Sequence, residues 1–183
     1  MYNAAGFRHE RPGMREHRYS VELPHSAARI WALMQDYDRW THYAPMVVRV
    51  DVLHPGDARG NGLLRRVIYK LPLGREGSAL ELVTEVEPER GYSYTMISRE
   101  AGNDQTGRLR LETVGPNRTR LHFEERYHLT RAPWKWFEGL IYRFINKQNE
   151  QSMQRLSAWL SEHPEYRSEL VDSASESAAA GRA

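Results

Sequence analysis

Between Arg118 and Leu160 the sequence joins one long alternating segment to one long helical segment, and that pairing restricts what the chain can become. In Arg118–Thr130, Leu121, Phe123, Tyr127 and Leu129 fall on one face with Glu125 among them, while His122, Glu124, Arg126 and His128 fall on the other. Side chains alternate across a strand, so this reads as a half-buried strand. After Pro133, about thirty residues carry helical periodicity from Trp134 to about Leu160. A final strand feeding one long helix implies a helix laid across the concave side of a curved sheet, with a cavity between them.

Composition narrows the function classes. The chain has 183 residues, with 26 Lys and Arg against 24 Asp and Glu, for a formal charge of +2. Its calculated pI of about 8.9 follows from that small surplus and is not an electrostatic footprint for nucleic acid. Cysteine is absent, which removes disulfides, thiolate metal sites and a thiol nucleophile. No apolar run approaches the roughly 18 residues of a membrane span. Met1–Pro12 lacks the apolar core of a secretion signal, so the expected location is cytoplasmic. Residues 1–14 read as a flexible segment, or as a leader preceding a true start at Met14. Residues 15–163 read as one domain, and 164–183, rich in Ser and Ala, as a disordered tail.

Within the domain, His17–Leu23 alternates as a strand, and Ser26 can cap a helix carrying Ala27, Ile30, Trp31 and Met34 to about Asp36. Tyr37–Ala44 reads as a short second helix stopped by Pro45. Five strands follow, Val47–Leu53, Leu63–Leu71, Ala79–Glu87, Tyr92–Arg99 and Gly107–Val114, before the one described first. The joins carry Pro and Gly turn chemistry and are short, which favours antiparallel neighbours. The expected class is α+β.

Several chemistries are missing. The eight histidines do not have metal-ligand spacing; His122 and His128 share a strand face but lie roughly 20 Å apart. There is no HExxH, Walker A loop or dinucleotide fingerprint, and neither metal nor cofactor is implied. Gly60-Asn61-Gly62 precedes a strand and so has no helix N-terminus for phosphate.

The chain resembles the START-like, Bet v 1-like superfamily, and within it the bacterial polyketide cyclase/dehydrase and lipid transport proteins. The carrying residues are Leu23–Asp36 with Trp40 and Pro45, Gly60–Arg65, Leu80–Pro88, the strand from Tyr92, and the helix ending Arg155–Leu160. The likeness spans about Glu16–His163. It implies a helix-grip fold: a seven-stranded antiparallel curved sheet wrapped around a long C-terminal helix, with two short helices after strand 1. In aromatase/cyclase members a tyrosine after the second helix and an arginine near the end of the fourth strand handle protons. The matching positions here are Val47 and Val86, which disfavours polyketide cyclisation relative to binding.

The expected function is therefore binding or transport of a small hydrophobic or amphipathic ligand between sheet and helix. A cyclase/dehydratase using Glu125 or a tyrosine, and a ligand-gated regulatory domain, are the alternatives. Candidate ligand-binding residues from the sheet are Arg65, Tyr69, Leu82, Thr84, Tyr94, Met96, Phe123, Glu125 and Tyr127. Trp40 and Tyr43 are placed at the mouth, and the helix supplies Ile141, Phe144 and Gln148 from a face running Phe137, Ile141, Phe144, Gln148, Ser152, Arg155 and Trp159. On strand Ala79–Glu87 the inward set is taken as Leu80, Leu82, Thr84 and Val86. Leu71 and Leu73, between cations on a hairpin tip, read as a small satellite cluster under the loop, with a transient membrane or protein contact as the alternative.

Overall fold

Alternating segments separated by turn residues form a seven-stranded antiparallel sheet in the order β1-β7-β6-β5-β4-β3-β2. The structure, a computed structural model, describes residues 14–70, 74–97, 103–130, 132 and 134–166. The strands are β1 Arg15–Leu23, β2 Val47–His54, β3 Leu64–Lys70, β4 Glu76–Glu87, β5 Gly91–Met96, β6 Asn103–Gly115 and β7 Arg118–Leu129. Helices α1 Ala27–Gln35 and α2 Trp40–Tyr43 follow β1, and α3 Glu138–Glu162 follows a short 3-10 turn, Trp134–Phe137. Leu71 and Leu73 lie outside the described residues.

From β2 onward each strand pairs with its successor, and β1 pairs with the last strand, β7. β6 begins earlier than its turn residues suggest, because Asn103 pairs opposite Leu129 and the ladder with β7 runs nearly its full length. Ladder hydrogen bonds outweigh the local turn preference of Asn and Asp there.

One irregularity in β4 reverses a pattern. Glu85 adopts φ 51°, and the register with β5 shifts between Thr84 and Glu87. The extra residue of a bulge breaks the two-residue period. Val86 donates its freed N–H to Asn61 Oδ1 at 2.7 Å. Val86 is inward, but before the bulge the inward set is Ala79, Glu81 and Val83. Counting back from Val86 by twos lands on the wrong face, so Leu80, Leu82 and Thr84 are on the outer side, as a correction to the expected inner set.

The core joins both ends of the chain. Ile30, Leu33 and Met34 of α1 pack with Leu156 and Leu160 of α3 and with Tyr92, Leu109 and Leu121 of the sheet. Polar ties fix this end of α3. The Ser157 carbonyl accepts from His25 at 2.9 Å, and the Arg29 guanidinium donates to the Leu160 and His163 carbonyls at 3.0 and 2.8 Å. Carbonyls of the last helical turn lack intrahelical donors, and a cation also favours the negative helix end.

Candidate functional site

The buried face of the sheet beneath α3 carries charge where apolar packing would be simpler. Register defines two rows on it. One runs Arg65, Glu81 and Met96 across β3, β4 and β5. The next runs Val83, Tyr94, Gly107, Glu125 and His17 across β4, β5, β6, β7 and β1.

In the first row Arg65 is 2% and Glu81 3% exposed. Arg65 Nε and Nη2 both approach Glu81 Oε2, at 2.9 and 2.8 Å, and Tyr69 donates to Glu81 Oε1 at 2.9 Å. The guanidinium also lies 4.5 Å from the Trp40 ring centroid, 5.4 Å from Tyr37 and 5.6 Å from Tyr92. Aromatic faces attract a cation, most strongly when it is desolvated. Trp40 is held in place because its indole N–H donates to the Met34 carbonyl at 2.9 Å. A space of about 10 Å3 adjoins Arg65 between Trp31, Tyr37, Val83 and Tyr92, room for about one water.

In the second row Glu125 is 2% exposed and receives three neutral donors. These are the Tyr94 hydroxyl, the Gln105 amide, and the Asn149 amide of α3 at 3.2 Å. Burial pushes the Glu125 carboxyl up to about 7, and Glu81 adds to the rise, while the three donors pull against it. Burial and the neighbouring Glu125 carboxyl push the Tyr94 phenol upward, so it stays a neutral donor. The Tyr94 ring reaches Glu125 by crossing the one residue between them, Gly107, where a Cβ would overlap the ring. Gly107→Ala is therefore expected to lose about 1–3 kcal/mol by overpacking and to detach Tyr94 from Glu125. Urea unfolding, together with the pH profile of stability, would measure both.

α3 meets this face with polar groups. The Tyr127 hydroxyl donates to Asn146 Oδ1, its ring stacks on Tyr142 with centroids 3.8 Å apart, and Tyr19 donates to the Asn149 carbonyl at 3.3 Å. The sheet-facing stripe is Tyr142, Asn149, Ser152, Leu156 and Leu160, rotated from the expected one. Phe144 is 52% exposed on the opposite side, so its inward placement is corrected. From the start of α3 to its middle the sheet side carries Asn149 and Ser152 while Leu140 and Phe144 face outward, against the usual amphipathic pattern, and Leu156 and Leu160 restore that pattern toward the C-terminus.

The other candidates are distributed as follows. Arg65, Tyr69, Tyr94, Met96, Phe123, Glu125 and Tyr127 share the inner face of the sheet, and Tyr43 is buried with the core. Trp40 lies over Arg65. Ile141 packs beside Tyr127, Leu129 and Tyr142. Gln148 is half-buried, and its carbonyl accepts from Ser152 at 2.8 Å. Glu81, Gln105, Gly107 and Asn149 join the site without having been singled out by sequence. For Glu81 a signal exists: Arg65 needs a buried counter-charge, and the adjacent strand offers one.

An antiparallel sheet curled around one C-terminal helix, with two short helices between the first strands, is the helix-grip architecture of the START/Bet v 1-like superfamily. Residues 14–160 match the family described as polyketide cyclase/dehydrase and lipid transport, and the chain belongs to that family. Its fold is similar to the Zhui aromatase/cyclase from Streptomyces sp. R1128, at 14% identity and TM-score 0.71 over 82% of this chain and 95% of that one. It is also similar to a START superfamily protein from Mycobacterium smegmatis, at 15% identity and TM-score 0.68 over 82% and 99%. A protein from Thermus thermophilus matches at 18% identity and TM-score 0.65 over 79% and 95%. No curated protein matches the sequence. Among the described residues no helix is long and apolar enough to cross a membrane.

Proposed function

We propose that this protein binds a small amphipathic molecule between the inner sheet face and α3, in the class of a lipid, an isoprenoid quinone or an aromatic polyketide-like compound. The observation that carries this reading is Glu125, a buried carboxyl whose hydrogen-bond partners among the described residues are all neutral. A group that expensive to bury is easier to account for by use than by stability. Its neighbours divide the labour. Tyr92, Tyr94, Met96 and Phe123 offer apolar and aromatic surface, and Glu125, Asn149 and the Arg65–Glu81 pair offer polar anchors. Few polar groups set in a mostly apolar lining is the usual make-up of a small-molecule site.

The test is native purification of the recombinant chain, solvent extraction and mass spectrometry of what is released. A molecule retained in near-equal amount to protein, and lost when Tyr94→Ala and Phe123→Ala are combined, is the expected result. Nothing extractable, together with no uptake of a fluorescent fatty acid or a naphthol probe, would end the proposal.

A second reading, a cyclase or dehydratase, rests on the same carboxyl. A side chain titrating near 7 is suited to passing a proton at neutral pH, and Tyr94 lies beside it as a neutral donor. Under that reading Glu125→Gln keeps ligand binding and abolishes turnover of a cyclisable polyketide substrate. Equal turnover by both proteins removes the reading.

A further inference from the structure

The start of α3 presents an apolar surface to solvent. Trp136 is 79% exposed, Phe137 56%, Leu140 69% and Phe144 52%. Phe137, Leu140 and Phe144 are spaced i, i+3 and i+7, so they project from one side of the helix over about 10 Å. This is the side opposite the stripe packed on the sheet. Apolar side chains clustered this way on a surface mark an interaction site rather than chance exposure.

The charges around the patch have one sign. Lys135, Arg143 and Lys147 are exposed beside it, with Arg143 three residues after Leu140 and Lys147 three after Phe144. From 134 to 149 the sequence contains a single carboxylate, Glu138. That residue turns inward, where it accepts from the Leu129 N–H at 3.0 Å and the Tyr142 hydroxyl at 3.2 Å and faces Arg15 at 3.4 Å. The patch is thus apolar at its centre and cationic at its margins, and the next carboxylate on the helix, the exposed Glu150, lies six residues beyond Phe144.

We propose that this face docks on an anionic lipid bilayer surface. Trp136, Phe137, Leu140 and Phe144 enter the acyl boundary, and Lys135, Arg143 and Lys147 meet the headgroups. Helices that lie in the interface plane combine large apolar residues with Lys and Arg in this manner. Long cationic side chains can extend from a buried stem to the headgroup level. A second copy of the chain fits less well. A two-fold contact through this face would bring together two patches whose margins, Lys135, Arg143 and Lys147, are all cationic. The proposal stands whether or not the interior takes a ligand. If it does, docking brings the bilayer next to the helical turn that carries Tyr142 and Asn146.

The test is co-sedimentation of the full chain with phosphatidylcholine vesicles, with and without phosphatidylglycerol. Binding to the anionic vesicles, weakened by high salt, is expected. Both Leu140→Asp/Phe144→Asp and Arg143→Glu/Lys147→Glu should lower the bound fraction about tenfold or more. All these side chains are exposed, so circular dichroism should show the fold retained. Extraction of an interior ligand from the same variants separates loss of docking from loss of the interior site. The proposal is overturned if the native chain ignores anionic vesicles, or if either double variant binds them undiminished. It is likewise overturned if light scattering finds a dimer that the Leu140/Phe144 variant dissolves.

Discussion

Replacing Arg65 by methionine is expected to destabilise the protein by about 3–5 kcal/mol, because it strands the Glu81 carboxylate without its counter-charge. Among the described residues Glu81 would keep only the Tyr69 hydroxyl, at 2.9 Å. The reciprocal change, Glu81→Leu, should be milder, since the guanidinium retains the faces of Trp40, Tyr37 and Tyr92. Removing both charges at once, as Arg65→Met with Glu81→Leu, should recover most of the loss, because two desolvation penalties vanish together with the attraction that offset them. Urea unfolding of the four proteins at neutral pH forms a double-mutant cycle, and a strong coupling energy is the expected outcome. Single variants within about 1 kcal/mol of the parent would mean that water reaches the pair.

The second large effect concerns pH. In the folded protein the Glu125 carboxyl is raised from 4.5 to about 7. Between those values the folded state holds a proton that the unfolded chain has released. Stability therefore falls as pH rises through this window, by about 3 kcal/mol in all, and the full penalty persists above it. Glu125→Gln cannot ionise. It should be more stable than the parent by about 3 kcal/mol near pH 8 and nearly equal to it near pH 4. His17 contributes the opposite slope. Burial holds its pKa below 6.5 against the pull of Glu150, so its share of stability is lost as pH falls. Subtracting the profile of the glutamine variant from that of the parent isolates Glu125. A flat difference would show that Glu125 is solvated, and it would remove the main support for an interior binding site.

These two groups are unequally visible in the sequence. Glu125 stands out because it interrupts Leu121, Phe123, Tyr127 and Leu129 in a strand whose alternation is otherwise regular, and β7 contains no bulge to disturb the count. Arg65 can be placed because the two faces of β3 differ in charge, with Arg66 and Lys70 on the other side. Its partner cannot. The positive φ at Glu85 inserts one residue into β4, and a period of two carries no memory across such an insertion. Counting by twos puts Leu82 and Thr84 inward for that reason, when the inward residue is Glu81.

The helix shows a different limit. Its existence and extent follow from local periodicity, but its rotation about its own axis does not. Phe137, Leu140 and Phe144 point to water, while Asn149 and Ser152 point to the sheet, so ranking faces by apolarity selects the outward side at this end. Gly107 is similar. Its role depends on a tyrosine ring from the neighbouring strand crossing above it, a contact that no local pattern records.

Sequence alone determined the order of strands along the chain, the antiparallel class, the long final helix and the strand face that Glu125 occupies, because each is written in contacts between near neighbours or in a two- or 3.6-residue period. Only the tertiary structure decided that Glu81 meets Arg65, that Asn149 rather than Phe144 faces the sheet, and that a cationic apolar surface is left uncovered. Those outcomes depend on one bulge and one helix rotation, which are set by packing between segments far apart in the chain.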